Sequence, residues 1–313
     1  MVVIRLTGAV EYNNLNYMSR FIFAASALVC LTSAATAQQV PGRDLLEFPV
    51  GLLAEAPPIS RTMTGGFWNP ANAALSPGVR AEVGFAGLTT PQDEGIRLQM
   101  VGAAFRVRPS ITAALSYVQA SVNDVIRTET DPTSLGEIPY GTSLLSAGAS
   151  TTRGDLSLGT AVRYRWASFD NVHAQSFSLD VGARLDHVAG TPLRVAASTL
   201  LLTPNHAADT PTYMLGLDAP ILRRDSLFEL RAGYSASRTY GRGREDYGFG
   251  TASFRQLDMS AGVSQTSVYG TVAQRLRLGV GLRYANYTVA FGREDGAAGF
   301  GASYQFLITR VFR

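Results

Sequence analysis

The sequence predicts an all-β protein, a 14-stranded antiparallel transmembrane β-barrel with an N-terminal plug or hatch segment. Three observations support this prediction. An export signal stands near the N-terminus, and from Val79 onward segments of about ten residues alternate between apolar and polar side chains. No apolar run reaches the roughly 18 residues that a transmembrane helix needs.

The first part of the chain is typical of a secretory signal peptide. Residues 18–20, Met-Ser-Arg, form a basic n-region, an apolar run follows, and small residues end at Ala37. We assign residues 1–37 to the signal peptide, with Met18 as the true start; a short buried helix of a cytosolic protein is the alternative. The single cysteine, Cys30, lies in this segment, so the exported chain has no disulfide framework.

Residues 38–78 are rich in Pro and Gly and precede the first strand. Asn69 can cap a short helix that begins at Pro70, because proline suits the first helical position, and Pro77 and Gly78 end it. Barrels of eight strands are filled by side chains, whereas those of about 16 to 18 leave an aqueous channel. A 14-stranded barrel lies between these cases, so we predict that this segment is a plug or hatch.

Residues 79–313 are predicted to form the barrel. In the clearest strand, Leu276 to Tyr284, apolar side chains occupy the even positions and Arg or Gly the odd ones. A soluble sandwich or barrel also has alternating strands, but its strands are shorter, and here Tyr and Trp fall at strand ends like an aromatic girdle. The predicted strands are 79–88, 96–107, 111–121, 141–151, 155–167, 174–184, 192–202, 211–219, 226–236, 245–254, 257–264, 274–284, 286–292 and 298–308.

The connections test the strand count. If the first strand runs outward, every odd-numbered connection is a long outer loop and every even-numbered one a short periplasmic turn. The outer loops are predicted at 89–95, 122–140, 168–173, 203–210, 237–244, 265–273 and 293–297. The turns are predicted at 108–110, 152–154, 185–191, 220–225, 255–256 and Ala285. Adding or removing one strand breaks this alternation, so the parity supports 14.

Charged residues lie on the polar faces of the predicted strands and are expected to point into the lumen. The acids are Asp180, Asp218, Glu229 and Asp258. The arginines, which are candidate anion-binding residues, are Arg163, Arg165, Arg184, Arg231, Arg275, Arg277 and Arg283. One interpretation is that these groups pair with each other and with the plug. The other is that some arginines bind the carboxylate of an amphiphilic ligand.

A resemblance to a known family rests on the segment before the first strand. The order Gly-Gly, aromatic, Asn-Pro-Ala, short helix and strand resembles that of the FadL-type outer-membrane transporter superfamily, including its PorV/PorQ relatives. The matching positions are Gly65, Gly66, Phe67, Trp68, Asn69, Pro70 and Ala71. The resemblance implies a 14-stranded barrel with a hatch, and these seven residues as its gate. The last strand, with Phe312 near its end, resembles the signal read by the outer-membrane assembly machinery.

No enzymatic site is predicted. His173, His187 and His206 fall in different predicted connections, and the sequence suggests neither a metal nor a cofactor. The closest nucleophile pair is His173 with Ser176, and Gly233 to Ser237 lacks the final Gly of a nucleophile elbow. The run from Arg242 to Asp246 is a solvated outer loop or a contact with lipopolysaccharide. The net charge of +3 is too small and scattered to indicate nucleic-acid binding.

Two functions remain open from the sequence. The first is passive uptake of small hydrophobic or amphipathic, fatty-acid-like compounds through the bacterial outer membrane. The second is a PorV/PorQ-like role, in which the barrel docks or shuttles exported proteins without transport. The expected partners are outer-membrane lipids and lipopolysaccharide, a hydrophobic small molecule in the first case, and exported proteins in the second.

Overall fold

A computed structural model describes residues 40–62, 64–91, 95–123, 125–128, 136–203, 209–224, 227–241, 243–268, 271–296 and 301–313. The predicted signal peptide, His206, Arg242 and Phe300 lie outside the described residues. Within those residues, no helix is long and apolar enough to cross a membrane.

Fourteen antiparallel strands close into one barrel, which confirms the predicted fold class. Each strand pairs with its neighbours in sequence, and the first also pairs with the last, so that Ala81 lies opposite Phe312. The strands are β1 Ala81–Thr89, β2 Ile96–Arg108, β3 Ile111–Val122, β4 Tyr140–Arg153, β5 Leu156–Phe169, β6 Val172–Leu185, β7 Arg194–Leu202, β8 Thr212–Arg224, β9 Phe228–Thr239, β10 Gly243–Phe254, β11 Leu257–Val268, β12 Thr271–Tyr284, β13 Tyr287–Glu294 and β14 Ser303–Phe312.

The outer surface of the wall is apolar, as the alternation predicts. In β14, Tyr304, Phe306 and Ile308 are exposed, whereas Gln305 and Leu307 between them are buried. Large apolar side chains thus face outward at alternate positions of the strand, and the side chains between them face the lumen. This is the arrangement of a barrel surrounded by lipid rather than by water.

Several predicted boundaries are wrong, and β8 shows why. The sequence predicts that this strand ends at residue 219, because a proline such as Pro220 is typical of a turn. In the structure β8 continues to Arg224, and Pro220 sits where the register with β9 shifts. A proline is tolerated at such an irregularity because the ladder needs no donor there. Similarly, β14 continues to Phe312 because its pairing with β1 extends that far.

The connections differ from the prediction at one end of the barrel. We call the end that holds Ala81 and Phe312 the inner end and the opposite end the outer end. Inner connections are short, except for 186–193. At the outer end, however, the strand bounds leave only residues 170–171, 240–242 and 269–270 for three of the connections, so the expected long loops are wrong there.

Residues 40–79, the hatch segment, run through the lumen from the outer end to the inner end. Arg43 contacts Thr210 and Thr212 at the outer end, and the Nη2 of Arg106 donates to the carbonyl of Leu75 near the inner end (2.7 Å). The segment contains one short helix, α1 (Gly65–Trp68), and 3-10 turns at Asp44–Glu47 and Pro70–Ala73. The barrel is therefore filled along its length by its own N-terminal segment.

The apolar core of the protein lies inside the lumen. Hatch residues Leu46, Leu52 and Phe67 pack with wall residues that face inward. On the wall these are mainly in the first four strands and include Leu88, Leu98, Met100, Val118 and Leu144. A lumen face that is polar throughout is therefore the wrong expectation for this part of the wall. Burying these side chains supplies the hydrophobic free energy that holds the hatch in place.

We expect that breaking the β14 ladder prevents barrel closure. Ile308 faces outward and lies opposite both Phe85 of β1 and Val289 of β13. Ile308→Pro introduces a residue that has no amide donor and is poorly tolerated inside a strand. The folded band in heat-modifiable gel mobility should then be lost. Ile308→Ala, which keeps the backbone donor, should retain it, and equal behaviour of the two variants would contradict the closed ladder.

Candidate functional site: the hatch and its seat in the lumen

The Asn-Pro-Ala motif forms a compact turn that is fastened to the rest of the hatch. The side chain of Asn69 accepts a hydrogen bond from the amide of Ala71 (3.0 Å), which confirms the predicted cap. The side-chain amides of Asn69 and Asn72 both donate to the carbonyl of Pro58, at 2.8 and 2.9 Å. Because all these groups are buried, each amide must find an acceptor, and Pro58 provides a shared one.

Lumen-facing glycines of the wall form the seat of this turn. A Cβ at Gly159 of β5 would collide with the backbone of Pro70, and one at Gly182 of β6 would collide with the side chain of Asn69. At Gly216 of β8, a Cβ would lie 2.7 Å from the ring of Pro58. These three glycines therefore allow the hatch to approach the wall closely.

Arg163 and Asp180 connect Phe67, one of the predicted gate residues, to the wall. The guanidinium of Arg163 lies over the Phe67 ring, 4.1 Å from its centroid, and donates to the Phe67 carbonyl. It also forms an ion pair with Asp180, and both side chains are almost fully buried. Such a pair is costly to break, because removing one partner leaves the other charge buried and uncompensated.

Asp180 also holds an irregularity in the wall. Leu179 pairs with Leu202 and Val181 with Thr199, so Leu200 and Leu201 of β7 both lie opposite Asp180. The other oxygen of Asp180 accepts a hydrogen bond from the amide of Leu201 (2.8 Å), whose φ is +55°. The bulge buries both leucines, which line the lumen beside Phe67.

A second buried ion pair ties the outer part of the hatch to the wall. Arg165 binds both carboxylate oxygens of Asp209, at 2.9 and 2.6 Å, and Ser176 donates to the same carboxylate. Arg165 also donates to the carbonyls of Val40 and Pro41. Arg165 therefore holds together the start of the described hatch and Asp209 in the connection between β7 and β8.

All seven candidate anion-binding arginines form ion pairs with the chain's own acids. Arg163 pairs with Asp180, and Arg165 pairs with Asp209. The partners of the other five arginines are Asp186 for Arg184, Asp218 and Glu229 for Arg231, Glu294 for Arg275, Glu245 and Glu294 for Arg277, and Asp258 for Arg283. Four of these acids, Asp186, Asp209, Glu245 and Glu294, were missed by the sequence interpretation because they lie at strand ends or in connections. A ligand carboxylate would have to displace one of these partners.

A small cavity of about 90 Å³ lies between the hatch and the wall. Its apolar lining comes from Phe67 and Trp68 of the hatch and from Leu200, Leu201 and Met214 of the wall. Charged side chains also line it, namely Arg43, Glu47, Arg163, Arg244, Glu245 and Arg277. A dry apolar cavity of about 150 Å³ holds benzene. This cavity must therefore enlarge before it accepts even a small aromatic molecule.

Glu55 is a half-buried acid of the hatch. Desolvation raises the pKa of its carboxyl, against the opposing effects of the hydroxyl of Ser60, which donates to it at 2.6 Å, and of Arg194. The negative charges of Asp258 and Asp218 raise the pKa of Glu55 further. The docked hatch therefore favours the protonated form of Glu55.

The nucleophile pair considered from sequence is not assembled. His173 is exposed, whereas Ser176 faces the lumen and is bonded to Asp209. His187 contacts Asp155 at 2.7 Å near the inner end. Among the described residues, no group of three His, Cys, Asp or Glu side chains could hold a metal ion.

Comparison with solved structures shows the same fold in outer-membrane channels. No protein-family model and no curated protein sequence matches the chain. The structure is similar to the CymD monoaromatic hydrocarbon channel, with a TM-score of 0.58 at 10% identity over 88% of this chain and 98% of that one. The toluene transporter TodX of Pseudomonas putida has a TM-score of 0.57 at 10% identity, with the same coverage of both chains. A FadL homologue of Pseudomonas aeruginosa has a TM-score of 0.54 at 12% identity, again over 88% of this chain and 98% of that one.

These comparisons confirm the fold implied by the FadL resemblance. The gate assignment of residues Gly65 to Ala71 stays a prediction, to which the structure adds a location: these residues lie in the lumen between Pro58 and the wall of β5 and β6.

We expect Gly159→Val to unseat the hatch. The valine side chain would occupy the space of the Pro70 backbone, which cannot yield as a flexible side chain can. Conductance across a planar bilayer should rise, and trypsin should cut faster at Arg61. Gly248→Val is the matched control, because no atom lies within 4 Å of a Cβ there. A closed, trypsin-resistant Gly159→Val barrel would show that this seat does not hold the hatch.

We also expect docking of the hatch to weaken as the pH rises through the raised pKa of Glu55. Above that pH, docking must bury the charged carboxylate of Glu55. Below the usual pKa range of a glutamate side chain, Glu55 is protonated in both the docked and the undocked hatch, and docking is strongest. Acrylamide quenching of Trp68, measured in a Trp166→Phe background, reports docking. Glu55→Gln should remove the pH dependence and the exposed Glu47→Gln should keep it; an unchanged pH profile in Glu55→Gln would assign the effect to another group.

Proposed function

We propose that the protein is an outer-membrane barrel for the passive uptake of small, uncharged hydrophobic compounds. In this proposal residues 1–37 are the signal peptide, residues 38–78 the hatch and residues 79–313 the barrel. The observation that carries it is the apolar part of the cavity, which lies between two predicted gate residues of the hatch, Phe67 and Trp68, and the bulged wall strand β7. The toluene and hydrocarbon channels of the same fold support the same class of solute.

The cavity lies beside the hatch helix α1, whose Trp68 makes both a hydrogen bond and an aromatic contact within the hatch. Trp68 donates from its indole nitrogen to the carbonyl of Val50 (3.3 Å) and packs edge-on against Phe67. These aromatic rings can exchange their mutual contact for contact with an apolar solute, at little cost in buried apolar area. Movement of α1 would then join the cavity to the inner end of the lumen.

The charge pattern favours a neutral solute over a fatty acid. Every candidate arginine is already paired, and the pairs of Arg163 and Arg165 are almost fully buried. Breaking a buried pair by taking away one partner costs about 3–5 kcal/mol. A carboxylate ligand would have to recover this cost, whereas a hydrocarbon leaves the pairs intact.

The proposed docking role for exported proteins has no observation in its favour among the described residues. The uptake role gives the barrel a non-enzymatic function at the bacterial outer membrane, in contact with lipids and lipopolysaccharide. It requires no cofactor, and its direction is set by the concentration gradient of the solute.

We expect expression of the barrel to accelerate toluene entry into intact Gram-negative cells. Phospholipid vesicles are unsuitable, because toluene crosses a simple bilayer unaided; the barrier is the lipopolysaccharide layer. A cytoplasmic toluene-oxidising enzyme supplies the readout, and laurate oxidation is measured in parallel. Toluene entry should rise more than laurate entry.

Met214→Gln tests the cavity itself. A glutamine amide placed against an apolar solute is left without a partner, and toluene entry should fall about ten-fold. The matched control is Met259→Gln, whose side chain faces outward and is half exposed. An equal loss in both variants, or faster entry of laurate than of toluene, would contradict the proposal.

A further inference from the structure

An open groove of about 510 Å³ lies on the membrane-facing side of β3 to β6, near the outer end. Arg165 points into the lumen and is fully buried, so its neighbour Trp166 points outward. The outward side chains that line the groove are Gln119, Ser121, Ser143, Trp166, His173 and Gln175. The groove is therefore separate from the lumen and from the proposed uptake path.

Trp166 is the aromatic residue that lines the groove, and it belongs to a cluster of rings on β3, β5 and β6. Tyr164 stacks on Trp166, with ring centroids 5.3 Å apart, and Trp166 stacks on Tyr117 at 6.1 Å. Tyr164 also packs against Phe177 at 4.7 Å. The cluster presents a continuous aromatic surface that crosses four adjacent strands.

Polar groups stand beside these rings on the outer side. The hydroxyl of Tyr117 donates to the hydroxyl of Ser143 (3.3 Å), and that of Tyr164 donates to the side-chain carbonyl of Gln175 (2.5 Å). These two bonds leave the amide nitrogen of Gln175 and the proton of Ser143 available for other acceptors. The lining thus offers both donors and acceptors next to an aromatic face.

Large apolar side chains also face outward beside these rings. Leu115, Leu145 and Phe177 are each more than one-third exposed. Leu145 lies opposite both Tyr117 and Tyr164 in the sheet, so it occupies the β4 position between their rings. The uncharged polar groups of the groove therefore border an exposed surface of aromatic rings and aliphatic side chains.

The charge of the groove restricts what it can bind. Its lining contains no Arg, Asp or Glu, and His173 is the one titratable side chain. An anionic headgroup finds no fixed positive charge here. Sugars fit better, because their hydroxyls donate and accept like those of serine and their apolar C–H faces pack on aromatic rings.

We propose that this groove binds the sugar headgroup of a glycolipid in the outer leaflet, with the acyl chains lying on Leu115, Leu145 and Phe177. The proposal depends on the proposed membrane location of the barrel but not on uptake. Loss of toluene entry and loss of sugar binding are therefore separate results, obtained from different variants.

Tryptophan fluorescence tests the proposal directly. The chain has two tryptophans, and Trp68→Phe leaves Trp166 as the reporter inside the groove. The folded barrel is placed in phosphatidylcholine nanodiscs and titrated with dodecyl maltoside, with octaethylene glycol monododecyl ether, which has the same chain and no sugar, and with maltose. Dodecyl maltoside should protect Trp166 from acrylamide at lower concentration than either of the others.

Gln175→Leu removes a sugar-binding amide without charge change, and should weaken the response to dodecyl maltoside about three- to ten-fold. Gln265→Leu, at an exposed position on β11, is the matched control and should leave it unchanged. Equal responses to the two detergents would overturn the proposal in favour of non-specific chain binding. Protection of Trp166 without any additive, together with a dimeric mass, would assign the groove to a second copy of the chain.

Discussion

The ion pair between Arg163 and Asp180 is the contact on which the interior arrangement depends. It is buried at the junction of three parts of the molecule: the hatch helix α1, the strand β5 that carries the arginine and the bulge of β7. Each charge satisfies a backbone group as well as its partner, since Arg163 binds the carbonyl of Phe67 and Asp180 the amide of Leu201. The hatch and the irregular wall strand are therefore not independent. A displacement of α1 removes a hydrogen bond from the guanidinium that neutralises the acid of the bulge.

Close contact between backbones makes this arrangement fit into the lumen. A segment with as many prolines as the hatch has few backbone donors to satisfy, and it can lie against the wall where the wall has no side chain. Gly159, Gly182 and Gly216 provide that space on the inner half. On the other side, inward-facing leucines and methionines of the first strands cover the apolar hatch residues. The lumen is thus a conventional protein core on one side and a polar, ion-paired surface on the other.

The wall could be predicted from the sequence because its period of two is a local property. The strand count, the parity of the connections and the outward apolar face follow directly from it. The errors lie where tertiary contacts override local signals: Pro220 inside a strand, two-residue connections at the outer end, and apolar residues such as Leu98 and Met100 on the lumen side. The path of the hatch has no periodicity, so only its cap at Asn69 could be derived. Some of the acids that neutralise the arginines are distant in sequence, 44 residues for Arg165 and Asp209 and 32 for Arg277 and Glu245, and no spacing predicted their pairing.

The balance of charge inside the barrel has a consequence for ions. Because each of the seven candidate anion-binding arginines is matched by an acid of the chain, this part of the lumen carries charges of both signs rather than a field of one sign. Pores discriminate between cations and anions when a ring of like charge lines the narrow part. A lumen whose arginines and acids neutralise each other provides no such ring. A pathway that opens beside these pairs therefore selects its solutes by size and polarity, and it treats small cations and anions nearly alike.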